Sequence, residues 1–197
     1  MTRPFVLASA SPARRRLLAE AGITAEVVVS DVDESQVTAH DSAKLAATLA
    51  EMKAEAVLGS VESASLVLGC DSVLDFDGEI LGKPGSEEEA AARWKRMRGR
   101  SGLLQTGHCL IDLAAGRRIV RTSGTRVHFA EVSDAEIAAY VATGEPLHVA
   151  GSFTLDGYGS AFVDRIEGDP GTVIGLSMPL LRGMLGELGI ALTDLWS

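Results

Sequence analysis

The strongest constraint on this chain lies at its start. There the apolar run Phe5-Val6-Leu7-Ala8 passes through Ser9, Ala10 and Ser11 into Pro12-Ala13-Arg14-Arg15-Arg16-Leu17-Leu18. Residues 5–9 read as a buried strand and 12–21 as a helix that turns Leu17 and Leu18 inward and stops at Gly22. Ser11 suits the N-cap and Pro12 the first helical position. Strand and helix therefore meet at 9–11, where the helix's unpaired N–H groups and positive end face whatever Ser9 and Arg14 face. That is an anion site in outline, and a phosphate is the expected ligand. Taken alone, the run reads equally well as an ordinary cap beside a solvated arginine face. The acidic and lysine motifs further along favour the anion.

Residues 27–29 form a second short strand that ends in Asp31-Val32-Asp33-Glu34, and a long helix over about 41–58 carries Leu45, Leu49 and Met52 on its apolar stripe with Lys53 near the edge. A third strand at 66–70 leads into a hairpin over 71–81 that turns at Asp77-Gly78, followed by Gly82-Lys83-Pro84. Ser86 and Glu89 match a capping box for a helix through Arg98, and Ser133 and Glu136 match a second one for a helix to Thr143. Between them, 103–113 and 118–130 read as two long strands in an antiparallel ribbon. The glycine-rich stretch 151–175 holds short strands around Phe162 and Val173, and a last helix covers about 179–188. Hairpin and ribbon interrupt the alternation of strand and helix, so the sheet is mixed rather than doubly wound. No linker, repeat or low-complexity tract divides the chain. With 197 residues, 46% of them hydrophobic, it fills one sizeable domain over 1–197, or one core with a subsidiary lobe.

Charge and composition narrow the partners. A net charge of -9 argues against polymeric nucleic acid, which needs a broad basic field, whereas a small anion needs only a local cluster. Cys70 and Cys109 are too few for a disulfide framework and sit in apolar runs, so buried free thiols in a reducing compartment are expected. No signal-peptide pattern and no run approaching 18 apolar residues occurs, so the expectation is a cytoplasmic protein with no membrane partner. His40, His108, His128 and His148 show no paired metal spacing, Gly157-Tyr158-Gly159 lacks a dinucleotide fingerprint and reads as a turn or close backbone approach, and Trp94 and Trp196 read as packing anchors.

Arg14, Lys53 and Lys83 oppose Asp33, Glu34 and Asp71 at or near the ends of these elements. Opposite charges gathered in this way suit a hard divalent cation with a polyphosphate: one or two carboxylates hold the metal while Lys and Arg neutralise the remaining oxygens. Cleaving a phosphoanhydride then needs a carboxylate to position or deprotonate water, and Asp71, expected at a strand terminus, is the natural candidate. Which carboxylate binds metal and which handles water is left open by the spacing. The alternative for all six is a set of surface ion pairs of little worth. Asp75-Phe76-Asp77-Gly78 imitates the Asp-x-Asp-Gly of haloacid-dehalogenase-type phosphatases, but its flanking alternation favours a hairpin turn, and its spacing does not fit an EF-hand.

With these motifs in place, the chain resembles the Maf family of nucleoside triphosphate pyrophosphatases nearly end to end. Leu7-Ala8-Ser9-Ala10-Ser11-Pro12-Ala13-Arg14 is similar to the family's Ser-x-Ser-Pro-x-Arg signature, and Asp31-Val32-Asp33-Glu34 is similar to its acidic turn. Lys53 falls in the expected helix, and Gly69-Cys70-Asp71-Ser72 with Leu81-Gly82-Lys83-Pro84 resembles the central catalytic block. The resemblance implies hydrolysis of a nucleoside triphosphate between the α and β phosphates, giving monophosphate and pyrophosphate with Mg²⁺ or Mn²⁺. It implies Asp71 as proton acceptor, Lys83 as a catalytic and phosphate-binding lysine, and Glu34 beside Asp71 at the metal or water. Ser9, Arg14 and Lys53 would hold phosphate. It further implies the α/β fold shared with inosine triphosphate pyrophosphatases, a mixed, elongated sheet flanked by helices with two lobes around a cleft, often as a homodimer. Clearing of modified nucleotides and a part in septum formation come with it. Two positions depart from the pattern. Ala13 removes a possible extra arginine, and Asp156 in Ala150-Gly151-Ser152-Phe153-Thr154-Leu155-Asp156-Gly157 stands near the base pocket where Gln or Glu is usual. The Gly-Ser-Phe version resembles the 7-methyl-GTP branch more than the dTTP and UTP branch, while Asp156 bears on base preference. The alternative from another class is a nucleotide-binding regulator of cell division with little turnover, against which the retained Asp71 and Lys83 count.

Overall fold

In the computed structural model, which describes residues 3–34, 37 and 39–197, the opening run folds as strand β1 (Phe5–Leu7) and helix α1 (Pro12–Glu20). Ser11 is the N-cap, its Oγ accepting the N–H of Arg14 at 3.4 Å, and Gly22 at φ +79° ends the helix. The chain then runs through β2 (Glu26–Val27), α2 (Ser42–Ala56), β3 (Leu66–Phe76), β4 (Glu79–Leu81) and α3 (Glu87–Met97). β5 (Ser101–Asp112), β6 (Arg117–Phe129), α4 (Asp134–Ala142), β7 (Val163–Glu167), α5 (Pro170–Ile174) and α6 (Met178–Glu187) complete it. The strands pair in the order β2-β1-β3-β5-β6-β7, with β4 on β3 off this path. β1 is parallel to β2 and β3, while β4 on β3 and β7 on β6 are antiparallel, so the sheet is mixed. Among the described residues no helix is long and apolar enough to cross a membrane.

Two compact units divide the chain. The first takes Met1–Asp71, Thr106–Ser123 and Gly175–Ser197; the second takes Ser72–Gln105 and Gly124–Ile174. In the first unit, strand alternation builds a core on each face of the sheet. Phe5, Leu7, Leu66, Leu68, Cys70 and Leu110 pack with Leu18 of α1 and Leu181, Met184 and Leu185 of α6. Val6, Ala8, Val67, Cys109 and Ile111 pack with Ala50, Ala54 and Val57 at α2. The buried stripe of α2 is therefore Ala46, Leu49, Ala50 and Ala54, and the expected Leu45 and Met52 are only half-buried. The reason is close approach. A Cβ at Gly69 would lie 2.2 Å from the Ala50 carbonyl oxygen, and one at Gly107 would lie 2.1 Å from that of Ala46. The helix backbone rests on two glycines of the sheet, and only small side chains fit between.

The second unit holds its own core of Leu74, Phe76, Trp94, Leu104, Val127 and Phe129 with Ile137, Tyr140 and Val141 of α4. Trp94 is the anchor, its ring edge-on to Phe129, Tyr140 and Phe162 at 5.6, 5.6 and 5.8 Å. Asp77 and Gly78 both take positive φ, 54° and 80°, in the tight turn that right-twisted hairpin strands favour, so the phosphatase look-alike is a turn between β3 and β4. The Ser133–Glu136 capping box forms with both arms. At α3 only half a box forms, because the Glu89 carboxylate accepts from Gly85 N and Arg93 instead of from Ser86 N. Val173, expected in a strand, lies in α5, whose start is tied down by Asp169 accepting from the N–H groups of Gly171 and Thr172.

Candidate active site

The first unit gathers Ser9, Arg14, Glu34, Lys53 and Asp71. Ser9 leaves the end of β1 and Arg14 comes from the first turn of α1, so the Ser11 cap sets their spacing. Arg14 is buried: its Nη1 donates to Ser9 Oγ at 3.0 Å and its Nε to the Gly175 carbonyl at 2.8 Å. The Ser9 hydroxyl also accepts from Ser11 N at 3.3 Å. A guanidinium held at both ends presents a fixed charge, the form in which arginine best reads phosphate.

Asp71 lies inside β3, not at its terminus as expected, because the strand runs unbroken to Phe76. Alternation puts it on the same face as Val67 and Gly69, the face that α2 covers. Lys53, in the last turn of α2, therefore reaches it, with Nζ 2.5 Å from Asp71 Oδ1 and 2.6 Å from Glu34 Oε1. Glu34 arrives from the acidic turn that begins with Asp31 at φ +42°. Burial pushes the Asp71 carboxyl up from the ordinary aspartate range, against the opposing pull of Lys53 and Arg14, and Glu34 adds to the upward push. A raised carboxylate of this kind is better suited to accept a proton near neutrality. Ionised Asp71 and Glu34 bring hard oxygen donors together around the Lys53 ammonium, which occupies their meeting point. That donor chemistry fits Mg²⁺ or Mn²⁺ shared with substrate phosphates, although among the described residues no three His, Cys, Asp or Glu side chains cluster as a complete protein cage.

The second unit carries Lys83 and Asp156, both exposed. Lys83 follows Gly82, whose carbonyl accepts from Arg93 Nη1 at 2.7 Å and from Gly151 N at 3.1 Å. Asp156 sits in a stretch organised by Glu145, which accepts from Tyr140 Oη, Thr154 Oγ1, Tyr158 N and Gly159 N. Burial works to raise the Glu145 carboxyl, but these donors hold it below the ordinary range. Gly159 is a close approach as expected, for a Cβ there would lie 2.5 Å from Tyr140 Oη. Sequence reasoning missed Arg93 and Glu145. Arg93 was detectable, since it falls on the buried face of α3 with Ala90, Trp94 and Met97. Glu145 was not, because two of its partners are backbone N–H groups.

The remaining candidates are structural. Cys70 and Cys109 are free and buried, and burial pushes both thiols up to about 12, which leaves them inert. His108 accepts the Ser177 N–H on Nε2 at 3.0 Å while Nδ1 faces the Thr106 carbonyl, a fixed neutral tautomer in the core. His128 pairs with Glu167. Trp196 covers Gly22 with its ring but stays half-exposed.

Comparison with known proteins bears on the family. The "Nucleoside triphosphate pyrophosphatase" of Salinispora tropica is 60% identical over 197 residues, covering 98% of this chain and 87% of that protein. That of Streptomyces coelicolor is 60% identical over 196 residues, covering 99% and 95%, and that of Nostoc punctiforme 58% over 193, covering 98% of each. The solved nucleoside-triphosphatase / dITP/XTP pyrophosphatase of Mycobacterium abscessus overlays loosely, with a TM-score of 0.43 at 14% identity over 94% of this chain and 95% of that one. The profile described as "Maf-like protein" matches residues 4–188. A match of that extent, over the opening turn, the acidic turn and the strand that bears Asp71, means that the chain belongs to the Maf family.

Proposed function

We propose that this protein is a hydrolase that cleaves nucleoside triphosphates between the α and β phosphates, releasing nucleoside monophosphate and pyrophosphate. The observation that carries the reading is the buried Asp71 carboxylate, raised by burial and held by Lys53 next to the fixed Arg14–Ser9 pair. The names carried by relatives 58 to 60% identical to it support the same reaction.

In this reading Asp71 accepts a proton from water as the water oxygen adds to phosphorus. The bond from that phosphorus to the bridging oxygen breaks, and the electron pair stays on the bridging oxygen, which leaves as part of the other product: pyrophosphate where water adds to the α phosphorus, nucleoside monophosphate where it adds to the β. Arg14 and Ser9 bind phosphate oxygens, and Lys53 orients the Asp71 and Glu34 carboxylates and shares their charge with substrate. Lys83 neutralises phosphate charge and Asp156 contacts the base. Glu34 and Asp71 would hold a divalent cation, Mg²⁺ or Mn²⁺, which would supply Lewis acidity and neutralise charge on the phosphate oxygens. The substrates are non-canonical or modified nucleotides and the setting is the cytoplasm. A homodimeric assembly and a link to septum formation follow the family pattern as parts of the same proposal.

The test is product identity. Purified protein with Mg²⁺ or Mn²⁺ is set against canonical and modified nucleoside triphosphates, with pyrophosphate and monophosphate read separately. Equal release of the two supports the reading, and release of orthophosphate alone overturns it. Nucleotide binding without turnover would turn the assignment to a regulator.

A further inference from the structure

Helix α3 carries a cation where its neighbours are apolar. Ala90, Trp94 and Met97 pack into the core, and Arg93 shares their face, 8% exposed. Burying a guanidinium is costly unless its N–H groups are used, and Arg93 spends them on the Gly82 carbonyl, Ser152 and Glu89. Nη1 donates to the Gly82 carbonyl at 2.7 Å and reaches Ser152 Oγ at 3.4 Å, while Nη2 pairs with Glu89 Oε1 at 2.5 Å. Glu89 in turn accepts from Gly85 N at 2.6 Å, so the turn at 82–85 is gripped on both sides of Lys83 and Pro84. A second clamp joins it. Gly151 N donates to the same Gly82 carbonyl at 3.1 Å, and Trp94 Nε1 donates to the Ser152 carbonyl at 2.7 Å. Ser152 is fully buried yet held at φ +61°, a backbone region that non-glycine residues rarely occupy and that persists only where surrounding contacts over-determine it.

We infer that Arg93 is a positioning residue for Lys83. It fixes the peptide between Gly82 and Lys83 and thereby aims an exposed lysine whose side chain has no such support among the described residues. Glu89 neutralises its charge and extends the grip to Gly85. The inference rests on the assignment of Lys83 to phosphate in the proposed function. It adds that the lysine's effectiveness depends on a residue that touches no substrate. Lysine is a mobile point charge on a four-carbon stem, so an anchored backbone is the main means of confining where its ammonium can go.

A kinetic cycle tests this with the full chain, Mg²⁺ and the best nucleotide substrate: wild type, Lys83→Ala, Arg93→Met, Arg93→Lys and Lys83→Ala/Arg93→Met. Misplacing a group that acts in the transition state lowers kcat more than it raises KM, so Arg93→Met is expected to lower kcat about 10-fold to 100-fold. Arg93→Lys, which can still reach the Gly82 carbonyl, recovers part of that. The double variant is no slower than Lys83→Ala within about twofold, because sites that act as a unit are not additive. Losses that multiply in the double variant overturn the inference, as does wild-type kcat in Arg93→Met with only a lowered Tm. If Arg93→Met does not fold, the cycle is run with Arg93→Lys, and a loss that persists undiminished in the Lys83→Ala background overturns it equally. Wild-type turnover in Lys83→Ala alone removes the assignment of Lys83 itself and the inference with it.

Discussion

At the scale of single residues, the group that most shapes behaviour is Asp71. Its carboxyl is raised from the ordinary aspartate value of 3.8, chiefly because burial disfavours the charge. The folded chain therefore holds this proton more tightly than the unfolded chain. Its contribution to stability is greatest below the unfolded value and is lost as pH rises through the folded one, so at neutrality the ionised carboxylate is a net liability of the fold. Two outcomes follow. Asp71→Asn should raise Tm at pH 7 while lowering kcat by about 100-fold or more, the span typical of a lost general base, with a smaller effect on binding. A fall in Tm with turnover retained would refute both the burial argument and the role. In the wild type, kcat/KM should fall on the acid side with an apparent pKa above that of an ordinary aspartate, and an acid limb at or below 3.8 would show that another group accepts the proton.

Elements explain why these residues meet. The Lys53–Asp71 pair exists because α2 lies directly on β3 and β5 at Gly69 and Gly107, with Ala46, Ala50 and Ala54 as its contact stripe. A Cβ at Gly69 would meet the Ala50 carbonyl at 2.2 Å and Ala54 N at 2.7 Å, and both are backbone atoms that cannot rotate away. Gly69→Ala should therefore cost about 1–3 kcal/mol, as overpacking does, and lift α2 from the sheet. Because Lys53 rides on α2, kcat should fall well beyond what the loss of folded protein accounts for. Wild-type kcat per folded molecule, measured with thermal unfolding, would mean that the helix does not set the lysine. The same close contact marks where the sequence misleads. Caps, the Asp77-Gly78 turn and the strand alternation are local chemistry, and they were legible. Of the expected α2 stripe Leu49 is buried, but Leu45 and Met52 are not, because hydrophobicity alone ranks leucine over alanine, whereas the sheet's glycines give the closest contact to Ala46, Ala50 and Ala54. Val173 was assigned to a strand because a β-branched residue among glycines resembles one, and the Asp169 cap that makes it helical depends on N–H groups two and three residues on.

Over the whole molecule, charge sets how substrate arrives. The grouping of Ser9, Arg14, Glu34, Lys53 and Asp71 was legible because charged and hydroxyl residues at the ends of apolar runs are conspicuous even when far apart in sequence. Arg93 and Glu145 were missed because they act largely on backbone atoms, which side-chain spacing does not encode. The total of -9 acts on a different length scale from these contacts. A nucleoside triphosphate is itself a polyanion, so at low ionic strength, where fields reach about 30 Å, it is repelled by the molecule as a whole. At about 0.15 M salt the reach shrinks to about 8 Å, so the net charge is screened while the cations at the site still act at short range. The expected result is a kcat/KM that rises about twofold to fivefold between about 0.01 and 0.15 M monovalent salt at saturating Mg²⁺, the reverse of an electrostatically steered encounter. It should fall again near 1 M, as the phosphate contacts themselves are screened. Neutralising exposed acidic residues outside the site, for example Glu187→Gln with Glu62→Gln, should flatten the rise without changing kcat. A monotonic fall in kcat/KM from the lowest salt upward would mean that the local cations dominate at every distance and that the overall charge plays no part in capture.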